Sequence, residues 1–319
     1  MAQAAPHNHP LDEASRQHAL DRYRILDSLP EAAYQDIVQV AATVCGTPIA
    51  LVSLLDRDRQ WFKARLGLDA AQTSRNVAVC DFAIRHPDQL LEVSDLSQDP
   101  RFADFPAVTG DTGARFYAGM PLVTPEGAPI GTVCVVDHHP RELSPEQREA
   151  LQALGRTTMR LMQARQRDHE QDVAGLLEQA QSAHTPAHDA GKAPAYSVVI
   201  LELQGLAGAV ERRGERVIEK ELHALELVLQ ALLDRDHGDS IDRVTGSAEF
   251  VAVLHGADSQ ARQQAMAHAI ADFHQRSGLQ VVMAAALAES GHESATQVFL
   301  RADSALSAAK DALSLFAPD

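Results

Sequence analysis

The chain has 319 residues, 45% of them hydrophobic and 23% charged, which is ordinary for a globular protein long enough to bury two cores. A formal charge of −16, with no Lys/Arg cluster to offset it, repels phosphate backbones and excludes nucleic acid and anionic membrane as expected partners. Residues 1–10 hold no apolar leader core and no apolar run reaches spanning length, so the expected location is the cytoplasm.

A helix is predicted over residues 13–27, with Ala19, Leu20, Tyr23, Ile25 and Leu26 on one side. A second is predicted over 31–45, with Ile37, Val38, Val40 and Ala41 inward and Gly46 placed to stop it. Pro48 opens a buried strand over 49–55, and Asp56-Arg57-Asp58-Arg59 turns the chain into a second strand over 60–67. Two further strands, 116–123 and 130–137, flank the turn Thr124-Pro125-Glu126-Gly127 in a hairpin pattern. Helices beside an antiparallel sheet predict an α+β sandwich over residues 12–140. The cysteines, Cys45, Cys80 and Cys134, are odd in number and lack metal-ligand spacing, so reduced buried thiols and no metal are expected.

This segment resembles the GAF family of small-molecule sensor domains. The resemblance runs through Pro48-Ile49-Ala50-Leu51-Val52-Ser53-Leu54-Leu55-Asp56, Gln60-Trp61-Phe62-Lys63-Ala64, Asp99-Pro100-Arg101-Phe102, Phe116-Tyr117-Ala118-Gly119-Met120-Pro121-Leu122 and Gly131-Thr132-Val133-Cys134-Val135-Val136-Asp137. It implies a ligand pocket on one face of the sheet, roofed by residues 75–115. The candidate pocket residues are Trp61, Phe62, Cys80, Asp81, Asp95, Asp99, Arg101, Phe102, Phe116 and Tyr117, an apolar set with a few polar groups suited to an unidentified small molecule. Asp99-Pro100-Arg101-Phe102 reads equally as a structural turn closed by an Asp99–Arg101 ion pair. No Cys-His dipeptide occurs, so a bilin chromophore is not expected.

Residues 141–181 are predicted as a signalling helix. Ser144, Pro145 and Gln147 form its start, and Leu151, Leu154, Thr158 and Leu161 step by threes and fours. The stripe fails over the charged run 165–172 and resumes at Val173, Leu176 and Leu177. So narrow a seam suits pairing with a second copy, so a homodimer is expected; the alternative is a helix lying on its own sheet. Residues 182–195 are small, polar and Pro-punctuated, a flexible loop.

Residues 196–316 begin with a central strand over 196–203, followed by helical pattern over 215–233, a hairpin around Gly246, a helix over 259–276, a strand over 279–287 and a final helix over 295–316. That order predicts a ferredoxin-like, nucleotide-cyclase-type sheet covered by helices. The half resembles the GGDEF family of diguanylate cyclases, through Ala302-Asp303-Ser304-Ala305-Leu306-Ser307-Ala308-Ala309-Lys310 and Gly246-Ser247-Ala248-Glu249-Phe250. On that resemblance Glu202 stands where active members carry their first metal-binding Asp. Val210 and Glu219 stand at the guanine-reading Asn and Asp, and Ala248 at the acidic metal ligand of the signature. Arg235 and Asp239 are the nearest remnant of the product-inhibition Arg-x-x-Asp, one residue too far apart.

Joining two GTP molecules requires in-line attack on an α-phosphate with Mg²⁺ neutralising phosphate charge, and Mg²⁺ takes hard oxygen ligands in octahedral geometry. Ala248 supplies none, Glu202 is a methylene longer than Asp, and Ser247 puts a side chain where backbone approaches the triphosphate. No catalytic residue, no metal and no resident cofactor are therefore expected. The expected protein is a cytoplasmic sensor with a degenerate GGDEF output that regulates a signalling partner, an active cyclase among the candidates. The alternatives are an active diguanylate cyclase using Mg²⁺ and a GTP or cyclic-di-GMP receptor without turnover.

Overall fold

A computed structural model describes residues 12–183, 196–244, 247–256, 258–289 and 293–314. The chain divides into two compact units, the first comprising residues 1–26 and 30–165, the second 27–29 and 166–319.

The first unit opens with α1 (Glu13–Asp21) and α2 (Ala32–Cys45). α1 stops six residues short of the predicted end, because the backbone leaves the helical region at Arg24 (φ 48°) and Asp27 (φ 56°). Tyr23 and Ile25 are still buried, so the apolar periodicity continues although the helix does not. α2 ends on Gly46 in the left-handed conformation (φ 64°), as Gly there leads one to expect. Ile37, Val38 and Ala41 are buried, but Val40, predicted inward, is 47% exposed.

The strands are β1 (Ile49–Leu55), β2 (Arg59–Leu66), β3 (Gln72–Ser74), β4 (Leu91–Val93), β5 (Phe116–Val123) and β6 (Pro129–Asp137), with short helices α3 (Val79–Ala83) and α4 (Pro106–Thr109) between them. They form one sheet in the order β3-β2-β1-β6-β5-β4, every neighbouring pair antiparallel. The predicted hairpin is β5–β6, in register Tyr117↔Val136 and Gly119↔Cys134. α2 packs against β1, β2 and β6, while α3 packs against β1, β5 and β6. β1 is buried along its full length, because a strand covered on both faces has no polar side to show.

α5 (Pro145–Ala183) is a single 39-residue helix that starts at the predicted Ser144–Pro145 signal and ends later than predicted. Its capping box is present: Gln147 N donates to Ser144 Oγ, and Ser144 N donates to Gln147 Oε1 at 2.9 Å. In the first unit Leu151, Gly155, Thr158 and Met162 are buried, whereas Leu154 and Leu161 of the predicted stripe are only half-buried. The helix continues through the charged run. In the second unit Val173, Leu177 and Ala180 pack with Tyr196, Val198 and Val253. The predicted loop falls on residues 182–195, of which 184–195 lie outside the described residues.

The second unit follows with β7 (Tyr196–Gln204), α6 (Leu206–Arg213), α7 (Glu215–Ala231), β8 (Ser240–Arg243), β9 (Glu249–His255), α8 (Ser259–Ser277), β10 (Gln280–Leu287) and α9 (Ala295–Ser314). Its sheet order is β10-β7-β9-β8, again antiparallel throughout. Ile218, Leu222, Leu225, Met266 and Phe273 from α7 and α8 share one core with Leu201, Leu203 and Phe250 of the sheet. Ala302 and Leu306 of α9 pack with Ile200 and Val282, the alternate residues on the other face. Among the described residues no helix is long and apolar enough to cross a membrane.

Gly131 sits opposite Leu54 in the β1–β6 ladder, and a Cβ there would overlap the Ser53 carbonyl oxygen. Gly131→Ala must push two central strands apart. It is expected to destabilise the first unit by roughly 1–3 kcal/mol, measured as a lowered denaturation midpoint for that unit alone.

Candidate functional site

Between the sheet of the first unit and the segment from β3 to β5 lies a cavity of about 360 Å³. Strand alternation sets its floor. Ile49 and Leu51 of β1, Gln60 and Phe62 of β2, Tyr117 of β5, and Cys134 and Val136 of β6 all project to this face. Val79, Cys80 and Leu96 supply part of the roof. Most of the wall is apolar, with Thr73, Ser74 and Thr112 among its polar residues, and one cluster of polar groups surrounds Cys80 Sγ. Gln60 Nε2 donates to it at 3.1 Å, Thr132 Oγ1 at 3.2 Å and the Tyr117 hydroxyl at 3.3 Å. Ser53 Oγ in turn accepts from Gln60 Nε2 at 2.7 Å. Burial, then the charge of neighbouring Cys80, pushes the Tyr117 hydroxyl well above its ordinary range, so it stays a donor.

Of the ten candidate pocket residues, Phe62, Cys80 and Tyr117 line this cavity. The other seven do not, and each is accounted for elsewhere. Trp61 and Phe116 are buried but sit one residue out of phase with Phe62 and Tyr117, on the opposite face. Phe102 packs edge-on against Phe82 and Phe105, with ring centres 4.9 and 5.6 Å apart. Asp81 pairs with Arg75 and Arg85, each at 2.8 Å; burial alone would raise its carboxyl, but the two guanidinium groups hold it below the usual range. Asp95 accepts from the backbone and hydroxyl of Ser97. Asp99 pairs with Arg101 at 2.6 Å, which holds its carboxyl low, and Arg101 lies over the Phe102 ring. The Asp99-Pro100-Arg101-Phe102 segment is thus the internally paired turn. Gln60, Thr132 and Cys134 were not foreseen; the alternation from Thr132 through Cys134 to Val136 was the signal that places them together.

In the second unit the cross-strand register sets Glu202 of β7 opposite Glu249 of β9. Two opposed carboxylates repel, and each receives a basic partner from a helix. Lys310 Nζ of α9 lies 2.7 Å from Glu202 Oε1, with side chains 9% and 11% exposed, and Gln204 Nε2 donates to the same oxygen. His169 Nε2 of α5 lies 3.2 Å from Glu249 Oε2. Ala248 and Phe250 are buried in the core, Ser247 Oγ donates to the Val244 carbonyl, and Val210 packs half-buried on the same core. Glu219 is paired with Arg243 at 2.9 Å on the surface. Gly246 lies outside the described residues.

Arg235 and Asp239 both line a second cavity, but the Asp239 carboxylate is already taken: it faces Arg262 Nε at 2.8 Å and accepts from the His255 and Asp234 amides. It does not face outward as an inhibitor-binding Asp would. Among the described residues no three His, Cys, Asp or Glu side chains converge as a metal-donor set.

Residues 29–160 match the GAF domain family, and this segment is a GAF domain. A cyclic di-GMP phosphodiesterase from Pseudomonas aeruginosa is 44% identical over 133 residues, covering 42% of this chain. The chain spans only 22% of that protein's length. Among solved structures, the GAF domain from Acinetobacter phosphoenolpyruvate-protein phosphotransferase is similar over 48% of this chain and 95% of its own, with 14% identity and a TM-score of 0.36. The GGDEF domain of DgcB from Caulobacter crescentus, in complex with c-di-GMP, is similar over 37% of this chain and 74% of its own, with 17% identity and a TM-score of 0.33.

The Lys310–Glu202 pair is buried enough for its loss to be measurable. Lys310→Met is expected to destabilise the second unit toward the lower end of the roughly 3–5 kcal/mol seen when one partner of a buried pair is removed, since Gln204 still donates to Glu202. Adding Glu202→Met should return most of that loss, read from denaturant titrations of the single and double variants.

Proposed function

We propose that this chain is a cyclic-di-GMP signalling protein in which a GAF domain senses a small molecule and a degenerate, GGDEF-like second unit acts by contact with a partner. The element order β-α-α-β-β-α-β-α and the sheet order β10-β7-β9-β8 support a ferredoxin-like, cyclase-type arrangement for that unit. The 44% identity to a protein named as a cyclic di-GMP phosphodiesterase supports the pathway.

The observation that carries the non-catalytic reading is Ala248, a methyl group buried in the core where the signature carries its acidic metal ligand. A divalent ion held there would need Glu202 and a second hard oxygen donor beside it. Ala248 offers a methyl group at the signature position, so the carboxylates left on these strands are Glu202, which Lys310 holds at 2.7 Å, and Glu249, which faces His169 at 3.2 Å. The residues present do not fit Mg²⁺. An output by docking needs no such ion.

Incubation of the purified protein with GTP and Mg²⁺ is expected to yield no cyclic-di-GMP by chromatography and mass spectrometry. Robust turnover that Glu202→Ala abolishes would overturn the proposal. Calorimetry with GTP and with cyclic-di-GMP is expected to give no heat; binding without turnover would replace the docking module by a nucleotide receptor.

A further inference from the structure

The GAF cavity ends on two thiols that ligand sensing leaves without a task. Cys80 lies on α3 in the roof and Cys134 on β6 in the floor; they are 54 positions apart, and their sulfurs approach to 3.8 Å. Both are free and buried. A neutral thiol accepts hydrogen bonds weakly, yet the amide of Gln60 and the hydroxyls of Thr132 and Tyr117 all aim at Cys80 Sγ. Such a shell suits a thiolate. Burial by itself would raise the Cys80 thiol, but hydrogen bonds from Cys134, Thr132, Tyr117 and Ser53 outweigh it and bring the thiol below its ordinary value. Cys134 is driven upward, first by its hydrogen bond to Cys80 and then by burial. A sulfur rich in hydrogen-bond donors beside a second thiol is the arrangement of an attacking and a resolving cysteine.

We infer that Cys80 and Cys134 are a dithiol that an organic hydroperoxide entering the cavity oxidises to a disulfide, stapling the roof of the GAF domain to its sheet. The apolar wall of Ile49, Leu51, Phe62, Leu68 and Val136 suits the hydrocarbon part of such a molecule, and the donor cluster suits its peroxide end. The Cys80 thiolate attacks the terminal peroxide oxygen and the O–O bond breaks. The alkoxide leaves with the bonding pair and takes a proton from water to become the alcohol, leaving Cys80 as a sulfenic acid. The Cys134 sulfur then attacks the Cys80 sulfur, and the hydroxyl leaves as water with the Cys134 proton. Two thiols lose two electrons, and the hydroperoxide becomes alcohol and water.

The sulfurs must close from 3.8 Å to about 2.05 Å, the length of a disulfide bond. β6 is held by strands on both sides, so the five-residue α3 is the element that moves. The inference stands whatever the second unit does, because its test reads sulfur chemistry alone.

Reduced full-length protein is treated with cumene hydroperoxide or with hydrogen peroxide, alkylated, digested without reductant and mapped by mass spectrometry. The expected product is a Cys80–Cys134 cross-linked peptide with Cys45 alkylated. It should form roughly tenfold faster with cumene hydroperoxide, a preference that burying part of the aryl group on the apolar wall supplies. In Cys134→Ser, Cys80 should persist as a sulfenic acid trapped by dimedone; in Cys80→Ser, neither adduct nor cross-link should form. The wild-type map needs no variant to fold. Full alkylation of all three cysteines after treatment, a cross-link through Cys45, or equal rates with the two peroxides would overturn the inference.

Discussion

One step along a strand of the six-stranded sheet exchanges the cavity face for the opposite face. That constraint sorts the strand residues of the GAF domain into cavity wall or opposite face. Phe62 and Tyr117 meet the cavity; Trp61 and Phe116, their immediate neighbours, do not. Gln60 and Cys134 line the cavity, and Thr132 and Ser53 join them through their bonds to Cys80 and Gln60. Buried polar atoms cost free energy unless they bond to one another, and these bond into one network around Cys80.

The second unit meets a different constraint, the placing of two carboxylates side by side on adjacent strands. Lys310 of α9 pairs with Glu202 and His169 of α5 lies 3.2 Å from Glu249, the two helices being far apart in sequence. A compensating side chain is fixed by the fold, whereas an ion must be recruited from solution and held by several oxygens. Once Lys310 sits on Glu202, a second cation brought to that carboxylate faces repulsion.

Local signals were legible in the sequence. Gly46 as a helix stop, the Ser144–Gln147 capping box and the β5–β6 hairpin all rest on residues a few positions apart, and all are present. What was not legible depends on partners distant in the chain or on which face of an element is covered. Residues 60–64 are buried without interruption, so no polar–apolar alternation distinguished Trp61 from Phe62. Asp99 and Arg101 looked available for a ligand because their pairing with each other is a matter of side-chain direction. Asp239 resembled half of a binding motif, but its carboxylate is closed by Arg262 on α8. The residue at 40 fits the apolar period of α2, yet no layer covers that side of the helix. The two sulfurs carry no spacing signal at all, since only the fold of the roof over the sheet brings them together.

A buried cysteine used only as a small apolar filler needs no hydrogen-bond donors around it. Gln60 Nε2 is shared between Cys80 and Ser53 Oγ, and the Thr132 and Tyr117 hydroxyls also reach Cys80. Charge on the sulfur would make each of those bonds to it charge-assisted and stronger. The same pleat that builds the cavity floor thus sets the state of the thiol at its polar end. Any molecule that fills that end must either bond to Cys80 or displace one of its donors, so occupancy and sulfur chemistry are coupled. That coupling follows from placing one polar network and one nucleophile in a single apolar space, and it holds for whatever ligand the domain takes.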